Sequence, residues 1–337
     1  MTTMTPRQRV WRAIRHEEPD CVPWHLGCTA PMRRKLEAHY GASQLDDVLG
    51  NHLAKYRPRA PDALEEIRPG HFRDEFGVVW NRTVDPDIGV VENHVLKDRS
   101  LAGCRFPDPH DPARFRALPG FIAEHANRFR YVSVSFSLFE RAWALRGMTE
   151  LMVDMLEAPA FVDELLDALV AFDLGLVEEA VKYDIDGILF GDDWGHQTGL
   201  LFGARLWRRF IKPRLAILFG AVKRAGKAVM IHSCGKVQEL FPDLIELGLD
   251  VFNPFQPEVM DLIDVKRRYG DRLAFFGGMS IQRVLPFGTP HEVREEAQRL
   301  AAELGRGGGF ILAPAHDMPS DIPVENVAAL VEAMQAQ

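Results

Sequence analysis

Ala228-Val229-Met230-Ile231-His232-Ser233-Cys234-Gly235 is a short, uncharged apolar run that ends in two soft metal ligands. Gly226 supplies a turn just before it, so the run reads as a buried strand. Side chains at i and i+2 of a strand share a face. His232 and Cys234 therefore converge on one point, and Gly235 lets the backbone turn away. An imidazole nitrogen beside a thiolate is a zinc-type pair. A buried histidine and a buried free cysteine are also ordinary core residues, so the pair alone leaves both readings open.

Downstream, Phe310-Ile311-Leu312-Ala313-Pro314 repeats the apolar pattern and leads into Ala315-His316-Asp317. With His316 at the end of a second parallel strand, His232, Cys234 and His316 make a three-ligand set with an open position. That is the catalytic rather than the structural arrangement of zinc.

Between these runs, residues 130–134, 187–190, 251–253 and 273–276 read as further buried strands. Residues 149–182 are helical in period, with Phe161, Leu165, Leu166, Leu169 and Phe172 on one face and a fresh start at Pro159. Residues 204–224 read as helical with a break near Pro213. In Thr289-Pro290-His291-Glu292 the threonine caps a helix, proline takes its first position and glutamate reaches back. Gly305 ends that helix, and residues 326–334 form a last one.

Strands alternating with helices imply a parallel sheet. Polar residues just after the strands favour a closed (β/α)8 TIM barrel, an α/β fold whose chemistry sits at the carboxyl ends of its strands. With residues 22–26 as the first, seven strands are legible and the eighth is not. Residues 40–127, rich in Pro, Asp and His, hold short strand candidates at Val78-Val79-Trp80 and Val90-Val91. They read as an elaborated N-terminal region over the barrel mouth, and residues 1–337 as a single domain.

Hydrophobic residues at 47% and charged residues at 26% are an ordinary globular balance. A formal charge of −8 argues against a nucleic-acid or anionic-membrane surface. Four cysteines are no disulfide framework and fit a reducing compartment. No apolar run is long enough to span a membrane, and residues 1–15 lack an apolar signal core, so a cytoplasmic location is expected.

Gly191-Asp192-Asp193-Trp194-Gly195-His196-Gln197 follows the strand at 187–190. Two carboxylates, an imidazole and an amide at such a place bind metal, hold substrate or move protons. The alternative is a turn in which aspartate caps backbone amides. Asp192, Asp193 and His196 are the catalytic candidates, and Gln197, Asn253 and Gln256 the substrate-binding ones. Gly305-Arg306-Gly307-Gly308-Gly309 is not a phosphate loop, because it precedes a strand and no Lys-Ser pair opens a helix after it.

Taken together, these residues resemble the uroporphyrinogen decarboxylase superfamily and, within it, the zinc-dependent corrinoid-linked methyltransferases. The resemblance begins with Met4-Thr5-Pro6-Arg7-Gln8-Arg9-Val10 and Glu18-Pro19-Asp20-Cys21-Val22-Pro23. It continues through Gly191-Asp192-Asp193-Trp194-Gly195, His232-Ser233-Cys234-Gly235 and Asn253-Pro254-Phe255-Gln256. It ends in Phe276-Gly277-Gly278 and Pro323-Val324-Glu325-Asn326. It implies a (β/α)8 barrel, with His-x-Cys and a cysteine of the last strand as zinc ligands. The first two carry over to His232 and Cys234, whereas a histidine, His316, stands at the third. Decarboxylases of the superfamily also have a histidine near this point, which leaves His316 open to a substrate-binding role.

The resemblance further implies methyl transfer between a corrinoid (methylcobalamin) and a thiol, methoxy or methylamine compound. The corrinoid would ride on a partner protein, because this chain holds no Asp-x-His-x-x-Gly motif. Two other readings stand beside this one. A tetrapyrrole decarboxylase of porphyrin biosynthesis would carry Arg-Gln-Ala-Gly-Arg after Val22-Pro23, where Trp24-His25-Leu26-Gly27-Cys28 is found. A barrel that binds a small molecule or corrinoid without turnover would need no metal.

Overall fold

A strand covered by helices on one side and by its own barrel on the other must be apolar on both faces. The computed structural model, which describes residues 3–337 apart from 42, 61, 62, 85, 87 and 88, shows strands of this kind. Among the described residues, seven form one sheet in chain order: β1 (Leu53–Tyr56), β2 (Phe129–Val134), β3 (Gly187–Gly191), β4 (Ala228–His232), β5 (Val251–Phe255), β6 (Ala274–Met279) and β7 (Phe310–Pro314). Each pairs with the next in parallel.

The sheet closes on itself through the expected first stave, residues 22–26. Trp24 bridges Leu312 of β7 in parallel, and His25 N donates to Leu312 O at 3.0 Å. On the other side His52 N, next to β1, donates to Trp24 O at 3.0 Å, and Asn51 Oδ1 accepts from Leu26 N at 2.6 Å. The eight staves of a (β/α)8 barrel are thereby complete. The strand that the sequence did not reveal is β1, which lies inside residues 40–127, so that region is not all elaboration. Lys55 faces inward within β1 and Arg57-Pro58-Arg59 follows it, so no apolar run marks the strand.

Alternation along β4 sorts the side chains. Ala228 and Met230 pack with Leu53, Phe129, Tyr131, Leu189, Val251 and Ile311 inside the barrel, while Val229 and Ile231 join the helical layer with Leu215 and Phe241. The helix Pro6–Ile14, capped by Thr5 with Gln8 reaching back, seals the barrel floor with Val10, Ala13 and Ile14. The glycine-rich turn at 305–309 sits at this floor, where Gly309 N donates to Ala13 O at 2.7 Å. It therefore lies at the end away from the candidate chemistry.

The outer helices follow their sequence signals. Met148–Glu157 and Pro159–Ala180 are separate helices, as are Gly203–Phe210 and Lys212–Arg224. Thr289 and Glu292 form the expected capping box on Pro290–Leu304. The elaborated region contributes an antiparallel sheet of Leu64–Arg68, His71–Asp74, Val79–Asn81 and Val90–Val91. It packs at the carboxyl-end rim: the Trp80 ring meets Phe136, in the loop leaving β2, at 5.1 Å, and Asp74 pairs with Arg141 at 2.6 Å. No helix among the described residues is long and apolar enough to cross a membrane.

Candidate metal centre

The strand period that sends Ala228 and Met230 into the barrel does the same for His232, at the carboxyl end of β4. Cys234 follows two residues on, with its Sγ 3.3 Å from His232 Nε2. His316, just past β7, turns its ring toward His232 with centroids 5.5 Å apart. One donor atom from each of these three side chains lies within 4.8 Å of the others. Donors around a tetrahedral zinc stand roughly 3.5 Å apart given its bond lengths, so small side-chain movements would complete the set.

The ring of His232 is held from behind. Register places Asn253 of β5 opposite it. Asn253 Nδ2 donates to Phe276 O at 2.9 Å, which turns its Oδ1 toward His232 Nδ1 at 2.6 Å. An amide oxygen only accepts, so His232 carries its proton on Nδ1 and offers the Nε2 lone pair to the centre. Asn253, expected to contact substrate, has both ends of its amide committed to this task.

Asp193 Oδ1 accepts from Cys234 N at 2.7 Å and lies 3.9 Å from His232 Nε2. Burial, and then the Asp193 charge, push the Cys234 thiol well above its ordinary pKa. His316 is exposed at the mouth, yet desolvation by the atoms around its ring, and then His232, hold its imidazole below its usual value. Two imidazoles and a thiol beside the Asp193 carboxylate are a nitrogen and sulfur donor set that fits zinc.

The loops after β3 and β4 cross at two glycines. Gly235 has φ 85°, and a Cβ on it would collide with the Gly195 backbone. Lys236 N donates to His196 O at 2.9 Å across the crossing. Over the three donors lies a cavity of about 170 Å³ lined by His196, Gln197, Cys234, Gln256, Gln282 and His316, among others. No Lys, Arg, Asp or Glu lines it among the described residues. A wider groove beside Phe287 and Arg299 lies on the outer helices.

Asp192 stands apart from this cavity. Its carboxylate is fully buried and accepts from Glu140 N at 2.8 Å and from Trp194 Nε1. Burial raises it to about 7. His196 and Gln197 are exposed at the rim, while Gln256 is buried. Sequence reasoning passed over Glu140, whose carboxyl is pushed well up by burial and then by the nearby charges of Asp193 and Asp192. It also passed over His25, Lys55 and Tyr131 on the opposite wall. No motif or spacing marks any of these four.

A closed parallel barrel with convergent donors at the carboxyl ends of its strands has the site architecture of a TIM-barrel enzyme. The uroporphyrinogen decarboxylase (URO-D) family model matches residues 87–337, and the chain belongs to that family. It is 26% identical over 196 residues to the uroporphyrinogen decarboxylase of Serratia proteamaculans, covering 57% of this chain and 53% of that one. Over 127 residues it is 29% identical to the methylcobamide:CoM methyltransferase MtaA of Methanosarcina barkeri, covering 38% and 35%. The chain thus spans about half the length, or less, of these curated relatives. A solved methyltransferase from Methanosarcina mazei shares the fold, with a TM-score of 0.74 over 99% of both chains at 18% identity.

Proposed function

We propose that this protein is a methyltransferase that holds zinc on His232, Cys234 and His316. In this reading it moves a methyl group between a corrinoid, carried by a partner protein, and a thiol, methoxy compound or methylamine. The observation that carries the reading is the convergence of one sulfur and two imidazole donors within 4.8 Å at the barrel mouth. Likeness to a methylcobamide:CoM methyltransferase supports methyl transfer as the chemistry. Zinc, when bound, would act as a Lewis acid that keeps an acceptor thiol ionised or polarises the heteroatom of a methyl donor.

The chain's own groups do the rest. Asn253 keeps the His232 proton on Nδ1, and Asp193 pins the backbone of Cys234. The amides of Gln197, Gln256 and Gln282 line the cavity and orient a small molecule by hydrogen bonds without adding charge. His196, at the solvent edge of the same cavity, exchanges a proton with bulk water when a heteroatom gains or loses its methyl group. Asp192 ties the loop after β3 to the helix Phe139–Arg146 and so braces Asp193. The corrinoid protein docks at the open mouth, beside the antiparallel sheet of residues 64–91.

Zinc content and methyl transfer from methylcobalamin to a thiol test this together, on wild type, His232→Ala, Cys234→Ser and His316→Ala. About one zinc per chain is expected in wild type, with loss of both metal and transfer in each variant. Undiminished zinc in all three variants sinks the ligand set. Uroporphyrinogen decarboxylases among the curated relatives give a second reading. It requires turnover of a tetrapyrrole by the metal-free chain, indifferent to Cys234→Ser.

A further inference from the structure

The wall of the mouth opposite β4 carries a different chemistry. Leu53 of β1 points into the barrel, so Lys55, two residues on, faces inward one layer higher. Register sets Lys55 beside Tyr131 of β2. The nearest carboxylate, Asp317, is 3.8 Å from Lys55 Nζ. That is too long for a charge-assisted hydrogen bond, which spans about 2.7–2.9 Å. No acceptor among the described residues lies within hydrogen-bond distance of the Lys55 ammonium, and with 25% of its side chain exposed it stays open to a ligand entering the mouth.

Its neighbours also hold polar groups without protein partners among the described residues. His25 Nδ1 is buried and has no partner among the described residues. Arg57, exposed at the rim above, forms no ion pair among the described residues, and its charge bears on Lys55, Tyr131 and Asp317. Asp317 itself lies over Gly27, where a Cβ would collide with its carboxylate. The backbone straps this loop in place, with Met318 N donating to Gly27 O at 2.9 Å and Thr29 N to Met318 O at 3.0 Å. Asp317 directly follows His316, so the exit of β7 joins this wall to the three soft donors.

We propose that Lys55, with Arg57 above it, binds the carboxylate of a small organic acid whose methyl-bearing end lies at the His232–Cys234–His316 centre. Only the second half of this assignment rests on the methyltransferase reading. A carboxylate offers two oxygens to the Lys55 ammonium and the Tyr131 hydroxyl. Its single negative charge is matched by Lys55 and Arg57 against the one charge of Asp317. A phosphate dianion would bring more charge than this wall offsets.

Calorimetric titration with acetate, methoxyacetate and 4-methoxybenzoate tests the proposal, each compared with its uncharged amide, on wild type, Lys55→Met and Arg57→Gln. Zinc is measured in every preparation. At least one acid is expected to bind wild type ten-fold or more tightly than its amide, with affinity falling as salt rises. Lys55→Met loses that preference while binding the amide unchanged, Arg57→Gln loses part of it, and inorganic phosphate does not compete. Equal binding of acid and amide, no binding by any acid, or an unchanged preference in Lys55→Met overturns the proposal and leaves Lys55 as a counter-ion for Asp317. If Lys55→Met does not fold, the acid-to-amide ratio of wild type and its reduction in Arg57→Gln decide. A zinc-free wild type that still prefers acids would overturn the methyltransferase reading and leave the anion pocket standing.

Discussion

A histidine proposed as a metal ligand is best served when its second ring nitrogen is committed elsewhere, and in this chain a neutral amide is placed to do that. Asn253 holds the Nδ1 proton of His232 while its own Nδ2 is fixed on Phe276 O. Asn253→Ala leaves all three donors in place but frees the ring to rotate and change tautomer. Zinc affinity should fall by about 10–100-fold, measured by competition with a chromophoric chelator, and Asn253→Asp should recover part of the loss. Unchanged affinity in Asn253→Ala would show that the amide is incidental. His232 and Cys234 were legible as a pair because a strand has period two. The role of Asn253 was not, because it depends on which residue of the next strand lies opposite His232, and a single sequence does not display register. Lys55 stayed hidden for a related reason: a lone lysine in a four-residue strand looks like surface until the barrel closes around it.

The long helix Pro159–Ala180 brings a carboxyl to the wall behind the site. Asp173 is buried, accepts from the Ser137 hydroxyl and is pushed up to about 7 by burial, with Asp192 adding to the rise. A carboxyl raised in the folded state stabilises fully below its unfolded pKa, near 4, and loses that contribution as pH climbs to about 7. Asp192 titrates in the same window. Wild type should therefore be less stable at pH 8 than at pH 5, by on the order of 3 kcal/mol for each group at most. Asp173→Asn should flatten that slope and raise stability at pH 8, as read by urea denaturation at both pH values. An undiminished slope in the variant would assign the effect elsewhere. At this scale the helices were read well, since Pro159, Pro213 and the Thr289–Glu292 box act within a few residues of themselves. β1 was not, because its inward face mixes Leu53 with Lys55 and so breaks the apolar pattern by which buried strands are recognised.

The barrel as a whole is closed by contacts between its two ends. Trp24 is 7% exposed, bridges Leu312 and donates from Nε1 to Leu49 O at 3.0 Å. Trp24→Ala should cost about 3–5 kcal/mol, and the loss should appear as one shifted transition in chemical denaturation rather than as local fraying. A variant that melts in two steps would mean that the first stave is an appendage to an independently stable sheet. That the fold is a barrel was legible from the alternation of elements. Where it closes was not, since the closing pair lies at opposite ends of the chain. The same seam orders events during synthesis. As the chain leaves the ribosome, the first stave has β1 on one side and an empty flank on the other until Leu312 is made. His316 emerges only after that. On the proposed zinc reading, a nascent chain presents His232 and Cys234 as an incomplete claw, and the ion enters after translation, through the mouth of a finished barrel.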